Sequence, residues 1–572
     1  MNLRRIRTAL VAGAAATLVA ACGTTSTGTT TTASSAEVVA ASASTVEETL
    51  AANDGWVTSS SVGSGTAISL EGDTASSDSS AVTVDGNTVT ITAAGTYVLS
   101  GTFEGQVVVD AADTEDVVLV LDGATITSPT SAAIAVTDAE TVVLSLADGT
   151  TNTLADTAEH ADDGTSAAVD SSADLVITGT GSLTVTGASN DGVNSSDGVT
   201  IESGTITVDA ADDGIRGQDS VVVLTGDVTV TAGGDGLKSD DTEDTTRGYV
   251  YVADGTVTVT AGDDGVSAAT DVVLGGGILD VATDGESAKG VEGDVSVVIG
   301  GGDLTVDSTD DALHSNGAIS ITGGTQTLTA ADDGVHADAD LTISGGTLTV
   351  VDAVEGLESA AITLSGGTTT VTASDDGVNA SAGSTSDTGG GTGGGGMQDD
   401  GSTLTISGGT LVVSAEGDGL DSNGSISITG GDTTVFGPTG DGNGALDSNG
   451  GIAVSGGTLV AGGSSGMAES PGTDSAQGWL AWSGTATAGS TVVVTSADGT
   501  VVASYTAEKA IASLVVSAAG ITTGETYSVS VDGGTATTVT AGEAAAGGMG
   551  GGTGGGGFAG GGPGGGGQPP TR

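Results

Sequence analysis

The sequence predicts an all-β solenoid: a parallel β-helix built from coils of about 22 residues, followed by a small C-terminal β unit. Three observations predict it. A D-D-G-like step recurs with its glycine position at Gly192, Gly214, Gly236, Gly265, Gly290, Ala312, Gly334, Gly356, Gly377, Gly419 and Ala445, most gaps being 21 or 22 residues. A glycine pair recurs with similar spacing, its first member at Gly323, Gly345, Gly366, Gly408, Gly430 and Gly456. Between these marks, Val, Ile, Leu and Thr alternate with polar residues at a period of two, and no helical period is visible.

Composition agrees with a thin interior. The 572 residues include 102 glycines, six prolines and only 2% aromatics, which excludes a globular domain with a bulky centre. The net charge is −65, from 74 acids against 9 bases, three of them (Arg4, Arg5, Arg7) at the extreme N-terminus. Such a surface repels nucleic acid and anionic headgroups and attracts cations, although acidity can also serve solubility or adaptation to salt.

Taken in order, residues 1–21 read as a signal peptide: three arginines precede an apolar run that ends in Val19-Ala20-Ala21-Cys22-Gly23. This resembles the lipobox of bacterial lipoproteins, and it implies lipidation of Cys22 and a place on the extracellular face of the cell membrane; a secretory signal with an incidental cysteine is the alternative. Cys22 is the only cysteine, so a disulfide within the chain and a Cys-based structural zinc site are excluded. No other apolar run is long enough to span a bilayer. Residues 22–55, rich in Ser, Thr and Ala, read as a flexible tether.

Residues 56–475 carry the β-helix. Its first coils are irregular: the strand-like runs 117–121 and 142–146 lie 25 residues apart without a D-D-G step. In a regular coil, residues 334–337, 341–343 and 348–350 read as three short strands, with Gly345-Gly346 bending the chain between the last two and Asp332-Asp333-Gly334 turning the corner before the first. Roughly a dozen coils at about 4.8 Å each would make a rod on the order of 60 Å long. Longer gaps hold an acidic insertion at 240–247 and a glycine run at 389–396. Residues 476–543 read as a separate antiparallel β unit that can cap the open end, with strands at 491–495, 514–517 and 527–531, and residues 544–572 as a disordered Gly-rich tail.

Function has to be sought in columns that run across coils. The residue before the reference glycine gives Asp191, Asp213, Asp235, Asp264, Lys289, Asp311, Asp333, Glu355, Asp376 and Asp418, and the residue before that adds Asp212, Asp263, Asp310, Asp332 and Asp375. Neighbouring carboxylates about 5 Å apart repel by roughly 3 kcal/mol at an effective dielectric of 20. Raised pKa values, splaying into solvent, or bound cations would relieve this. Calcium is the favoured cation, since it takes six to eight oxygen ligands. Asp310, Asp311, Asp332 and Asp333 make the best single site, with Asp263, Asp264, Asp212, Asp213 and Asp235 as further ligands.

Lys289 interrupts the ladder as an internal counter-ion or, in the sharper reading, as a catalytic base that flanking aspartates would weaken. Two residues after the reference glycine, a further column runs Arg216, Lys238, Ser267, Glu292, His314, His336, Glu358, Asn379, Asp421 and Asp447. Arg216 and Lys238 are placed to hold a sugar carboxylate, and with Lys289, His314 and His336 they form the candidate substrate-binding set. The histidines, one coil apart, either stack or share a metal, or are satisfied surface residues. No Ser/His/Asp arrangement and no phosphate loop before a helix is present, which argues against nucleophilic and nucleotide chemistry.

Over residues 80–475 the runs ITAAGTYVLSGTFEGQVVVDA, AADDGIRGQDSVVV, DSTDDALHSNGAISITGG and GNGALDSNGGIAVSGGTLVAGGSSGMA resemble the bacterial extracellular carbohydrate-binding β-helix domains. That resemblance implies a right-handed parallel β-helix with calcium ions, similar to pectate-type polysaccharide lyases, that binds plant cell-wall polysaccharides such as cellulose and polygalacturonate. Lyase activity is not generally implied. The chain departs from the family in having few bases and no aromatic platform on the solenoid, Trp479 and Trp482 lying beyond it. The expectation is a monomeric, surface-anchored lipoprotein that binds polysaccharide without cleaving it; a calcium-dependent β-elimination lyase and a passive adhesin or spacer are the alternatives.

Overall fold

The structure is a computed structural model that describes residues 44–59, 62–112, 116–158, 160, 164–382 and 399–544. Cys22, the signal peptide, the glycine run at 389–396 and nearly all of the C-terminal tail lie outside the described residues.

The chain is nearly all β and winds as a parallel-stranded solenoid. One turn comprises the strands Leu313–Ser315, Ala318–Ile321 and Thr325–Ala330. Each pairs in parallel with its equivalent in the next turn, Leu313 opposite Val335, Ile319 opposite Leu341 and Leu328 opposite Val350. The alternation in sequence becomes alternation of face: Leu313, Ile319, Ile321 and Leu328 are fully buried, each contributing about 1.5–3 kcal/mol of burial. The earlier, irregular turns stack in the same sense, with Val117 opposite Val142 in the strands Val117–Thr127 and Thr141–Leu146.

The two glycine signals have different causes. The second glycine of each pair takes positive φ, as at Gly324 and Gly346 (both +78°) and Gly367 (+74°), which a side chain would strain. The reference glycines do not. A Cβ at Gly214, Gly265 or Gly290 would instead run into Cγ1 of Val230, Val281 or Val306 in the core of the same turn. Alanine stands at the reference position in the two turns where the register partner of that valine is Leu328 or Ala461.

Two long insertions fall between equivalent strands. The acidic segment at 240–247 lies between the strands Leu237–Ser239 and Tyr249–Val252, and residues 383–398 lie between Val378–Ala380 and Thr403–Ile406. After both, the ladder resumes in register, Ser220 with Tyr249 and Ala361 with Thr403.

At the C-terminal end, the strand Ile511–Ser517 pairs antiparallel with the last solenoid strand, Thr458–Gly463, and with Trp479–Ala486. Residues 476–543, read from the sequence as a separate unit, are thereby joined to the last turn through one sheet. Phe436 and Val460 of the solenoid pack with Trp482, Tyr505 and Leu514 beneath it. An edge that would offer unpaired backbone groups is covered.

The N-terminal segment departs from the sequence expectation. Composition assigns residues 22–55 to a tether, yet residues 44–59 lie along the side of the solenoid. A capping box of Thr45 and Glu48 starts the helix Val46–Ala52. On either side of it, the Ser44 N–H donates to Ser320 Oγ (3.1 Å), Asn53 Nδ2 to Asp271 Oδ2 (3.0 Å), the Asp54 N–H to the Thr246 carbonyl (2.8 Å) and the Ser59 N–H to Glu202 Oε1 (2.7 Å). The strap therefore crosses several turns, held mainly by hydrogen bonds rather than by a buried face. Among the described residues no helix is long and apolar enough to cross a membrane.

Candidate functional site

The short strand after each D-D-G step places one side chain on the outer face, and strand register stacks these into a column. Asn194, Arg216, Lys238, Ser267, Glu292, His314, His336, Glu358, Asn379 and Asp421 are successive partners along it.

Beside it runs the carboxylate column. The N–H at one reference position donates to the carbonyl of the preceding residue's equivalent one turn on: Gly236 to Asp264, Gly265 to Lys289, Gly290 to Asp311, Ala312 to Asp333. The side chains add a second ladder. Oδ1 of Asp213 accepts the N–H of Asp235 (2.9 Å), Oδ1 of Asp235 that of Asp264 (2.9 Å), Oδ1 of Asp264 that of Lys289 (2.7 Å), and Oδ1 of Asp311 that of Asp333 (3.0 Å). Each carboxylate thus satisfies a backbone donor of the following turn, leaving Oδ2 for other partners. Asp213, Asp235, Asp311 and Asp333 are buried, whereas Asp212, Asp263 and Asp332 one residue earlier are exposed and Asp310 is half-buried.

The mutual repulsion of this ladder is met differently along its length. In the first turns cations are built in. Arg216 donates through Nε and Nη2 to Asp240 Oδ2 (3.1 and 2.7 Å) and through Nη1 to Asn194 Oδ1 (3.0 Å). Lys238 Nζ lies 3.1 Å from Asp213 Oδ2 and 2.7 Å from Asp235 Oδ2. Lys289 Nζ lies 3.4 Å from Glu292; its own burial works against the charge, but Glu292, Asp264 and Asp310 together raise its proton affinity. Burial, aided by Glu292 and Asp235, pushes Asp264 up to about 8.

In the middle turns the column carries histidines. His314 Nδ1 sits 2.7 Å from Asp311 Oδ2, and His336 Nδ1 3.3 Å from the same oxygen and 3.4 Å from Asp333 Oδ2. The hydrogen bond to Asp311 raises His336 to about 9 despite its burial. Burial opposes ionisation of Asp311, but the two histidines hold its carboxyl well below the usual range.

In the later turns nothing basic intervenes. Among the described residues no Lys, Arg or His pairs with Glu355, Asp376, Asp418 or Asp421. Burial first, then neighbouring carboxylates, push Glu355 up to about 7, Asp376 to about 6, Asp418 to about 7 and Asp421 to about 8. Within this stretch Asn379 donates through Nδ2 to Glu355 Oε2 (2.8 Å), while its buried Oδ1 has no partner.

The four aspartates expected to form one site are divided. Ligand oxygens of Asp310, Asp311 and Asp332 come within 4.8 Å of one another, as do those of Asp235, Asp263 and Asp264, but Asp333 groups with His336 and Glu358 instead. The reason is the ladder: Asp311 and Asp333 point along the column toward its basic side chains, whereas Asp310 and Asp332 are the outer members of their steps. Asp212 joins no such group among the described residues. Sequence reading did not single out Asp240, which lies in an insertion, nor the ring pair Trp56 and Tyr251 (centroids 5.4 Å, tilted 45°), which the strap brings to the flank.

Fold and face together define a repeat protein whose turns stack polar and charged side chains into a half-buried column. Residues 85–334 match the model of a family described as carbohydrate-binding domain-containing protein. A carbohydrate-binding domain-containing protein of Acetivibrio thermocellus is 34% identical over 128 residues, 21% of this chain and 45% of the relative, so the chain spans less than half the length of that relative. A solved structure, the polysaccharide lyase-like protein from C. thermocellum as a gadolinium derivative, is 33% identical, with 43% of this chain and 95% of that one covered and a TM-score of 0.36.

Proposed function

We propose that this protein is a surface-anchored lipoprotein whose solenoid, a right-handed parallel β-helix, binds extracellular polysaccharide through its charged column and does not cleave it. The observation that carries the reading is the match to a carbohydrate-binding family over residues 85–334, the stretch that includes the columns from Asp191 to Asp333. Anchoring rests on the run that ends at Cys22.

Calcium fits the later turns and the outer aspartates. The orphaned Oδ1 of Asn379 among uncompensated carboxyls, and the two trios Asp235, Asp263, Asp264 and Asp310, Asp311, Asp332, offer the hard oxygen donors that this ion requires. When bound, calcium would supply the positive charge these turns lack and leave coordination positions for glycan oxygens. The chain's own residues do the remainder. The backbone ladder holds the inner carboxylates at fixed spacing, and the 30% exposed side chains of Arg216 and Lys238 present the edges of paired cations to a sugar carboxylate.

A lyase is disfavoured by the electrostatics. Lys238 and Lys289 both sit among carboxylates that raise their proton affinity, the reverse of what a general base at neutral pH needs. A glycan array probed with and without calcium tests binding, and retention on no glycan would leave a passive spacer. Ultraviolet-absorbing unsaturated products from uronate polymers would overturn the non-cleaving assignment.

A further inference from the structure

The histidine pair adds nitrogen donors to the ladder, and its hydrogen bonds fix which ring atoms face inward. Asn316 Nδ2 donates to Asp294 Oδ1 at 2.7 Å, so the Asn316 oxygen is the atom turned to His314 Nε2, 3.3 Å away. His314 Nε2 therefore donates to it, and Nδ1 is the ring atom turned to Asp311 Oδ2, 2.7 Å away. A proton or a metal ion between Nδ1 and the carboxylate holds the two atoms together. His336 repeats the pattern, its Nδ1 lying against Oδ2 of both Asp311 and Asp333 at 3.3 and 3.4 Å.

We propose that Asp311, His314 and His336 form a binding site for one borderline divalent transition ion of the zinc type, shared between two adjacent turns. The spacings suit it. In a tetrahedral site with bonds of about 2.1 Å, the ligand–ligand edges are about 3.4 Å, so the His336–Asp311 contact already matches and the His314–Asp311 edge has to open by less than about 1 Å. Imidazole nitrogen selects such ions over calcium, which takes oxygen. The ligands are also held from behind: the Asp333 N–H fixes Asp311 Oδ1 at 3.0 Å, and Asn316 fixes His314, as second partners commonly do at metal centres. The histidine side chains, 12% and 27% exposed, leave an entry path from solvent. Protons are the competing occupants. Asp311 also belongs to the oxygen trio with Asp310 and Asp332, so the two sites share one carboxylate.

The test uses the full chain without a polyhistidine tag, titrated with Co²⁺ in excess Ca²⁺. The expected result is one Co²⁺ per chain with the visible ligand-field bands of nitrogen ligation. His314→Asn and His336→Ser should weaken binding at least tenfold and remove the bands, while Asp303→Asn, at an exposed strand residue outside both sites, leaves both unchanged. Ser267 and Asn379 occupy the same column, so both histidine variants should fold, and their urea midpoints in metal-free buffer check this. Absence of Co²⁺ binding in excess calcium, or unchanged affinity in either folded histidine variant, would overturn the proposal. Calcium isotherms on the same variants keep this outcome separate from the fate of the calcium reading.

Discussion

Asp376 separates the two tasks of the carboxylate ladder, satisfying a backbone donor and carrying charge. Its Oδ1 accepts the N–H of Asp418, and burial, with Asp375 and Asp447 close by, pushes its carboxyl from 3.8 up to about 6. Because the folded value lies above the unfolded one, the stabilisation is fully present below about pH 3.8 and is lost as pH rises through about 6. The full difference corresponds to about 3 kcal/mol, and partial exposure reduces the expected cost of ionisation to about 1–2 kcal/mol.

Asp376→Asn keeps the acceptor and removes the charge. In chelator it should therefore be about 1–2 kcal/mol more stable than the natural chain at pH 7.5 and close to it near pH 4. Asp376→Ala leaves the Asp418 N–H without its acceptor, which costs about 1–3 kcal/mol at both pH values. Urea unfolding followed by circular dichroism at pH 4 and 7.5 reads the global effect, and exchange of the Asp418 amide reads the local one. If Asp376→Asn gains nothing at pH 7.5, or if the Asn and Ala variants coincide near pH 4, this division of tasks is wrong.

The chelated protein as a whole should lose stability between pH 4 and 8, since the carboxyls of Glu355, Asp418 and Asp421 are likewise shifted upward; calorimetry with added calcium should recover much of the loss at pH 8 and little at pH 4. Lys238→Met keeps the stem but strands Asp213 and Asp235, and should cost about 3 kcal/mol at pH 7 and much less near pH 4, measured by urea midpoint. Gly290→Ala drives a Cβ into Val306 and should cost about 1–3 kcal/mol. Adding Val306→Leu should return part of that, because Ala312 and Leu328 already coexist one turn on; a double-mutant cycle with no coupling would show that the valine is not the obstacle.

Parallel stacking was legible because its marks are local. Gly345-Gly346 and Asp332-Asp333-Gly334 announce bends, and the alternation between them announces a buried face. The cause of the glycine in the D-D-G step was not legible from the motif. It lies in a valine sixteen residues on, as with Gly290 and Val306, and shows in the sequence only once alanine is seen to coincide with Leu328 or Ala461. The candidate site was legible as columns and not as contacts. That Asp311 serves two histidines while Asp310 and Asp332 face outward depends on side-chain direction at a corner. The strap was hidden for a different reason: Ser44, Asn53, Asp54 and Ser59 bind partners more than 140 residues away through polar groups that leave no periodic trace.

The placement of the insertions separates what the solenoid is from what it can display. The segments at 240–247 and 383–398 enter at the same corner, just downstream of the outer column, and the strands on either side keep their partners. Sequence added there leaves the pitch of the stack untouched while changing what stands beside the charged face, much as Asp240 supplies the partner of Arg216. That corner is a grafting position: a recognition loop could be exchanged at one turn without recalculating the fold of its neighbours, and diversification of ligand preference within such scaffolds would be expected to concentrate at this address.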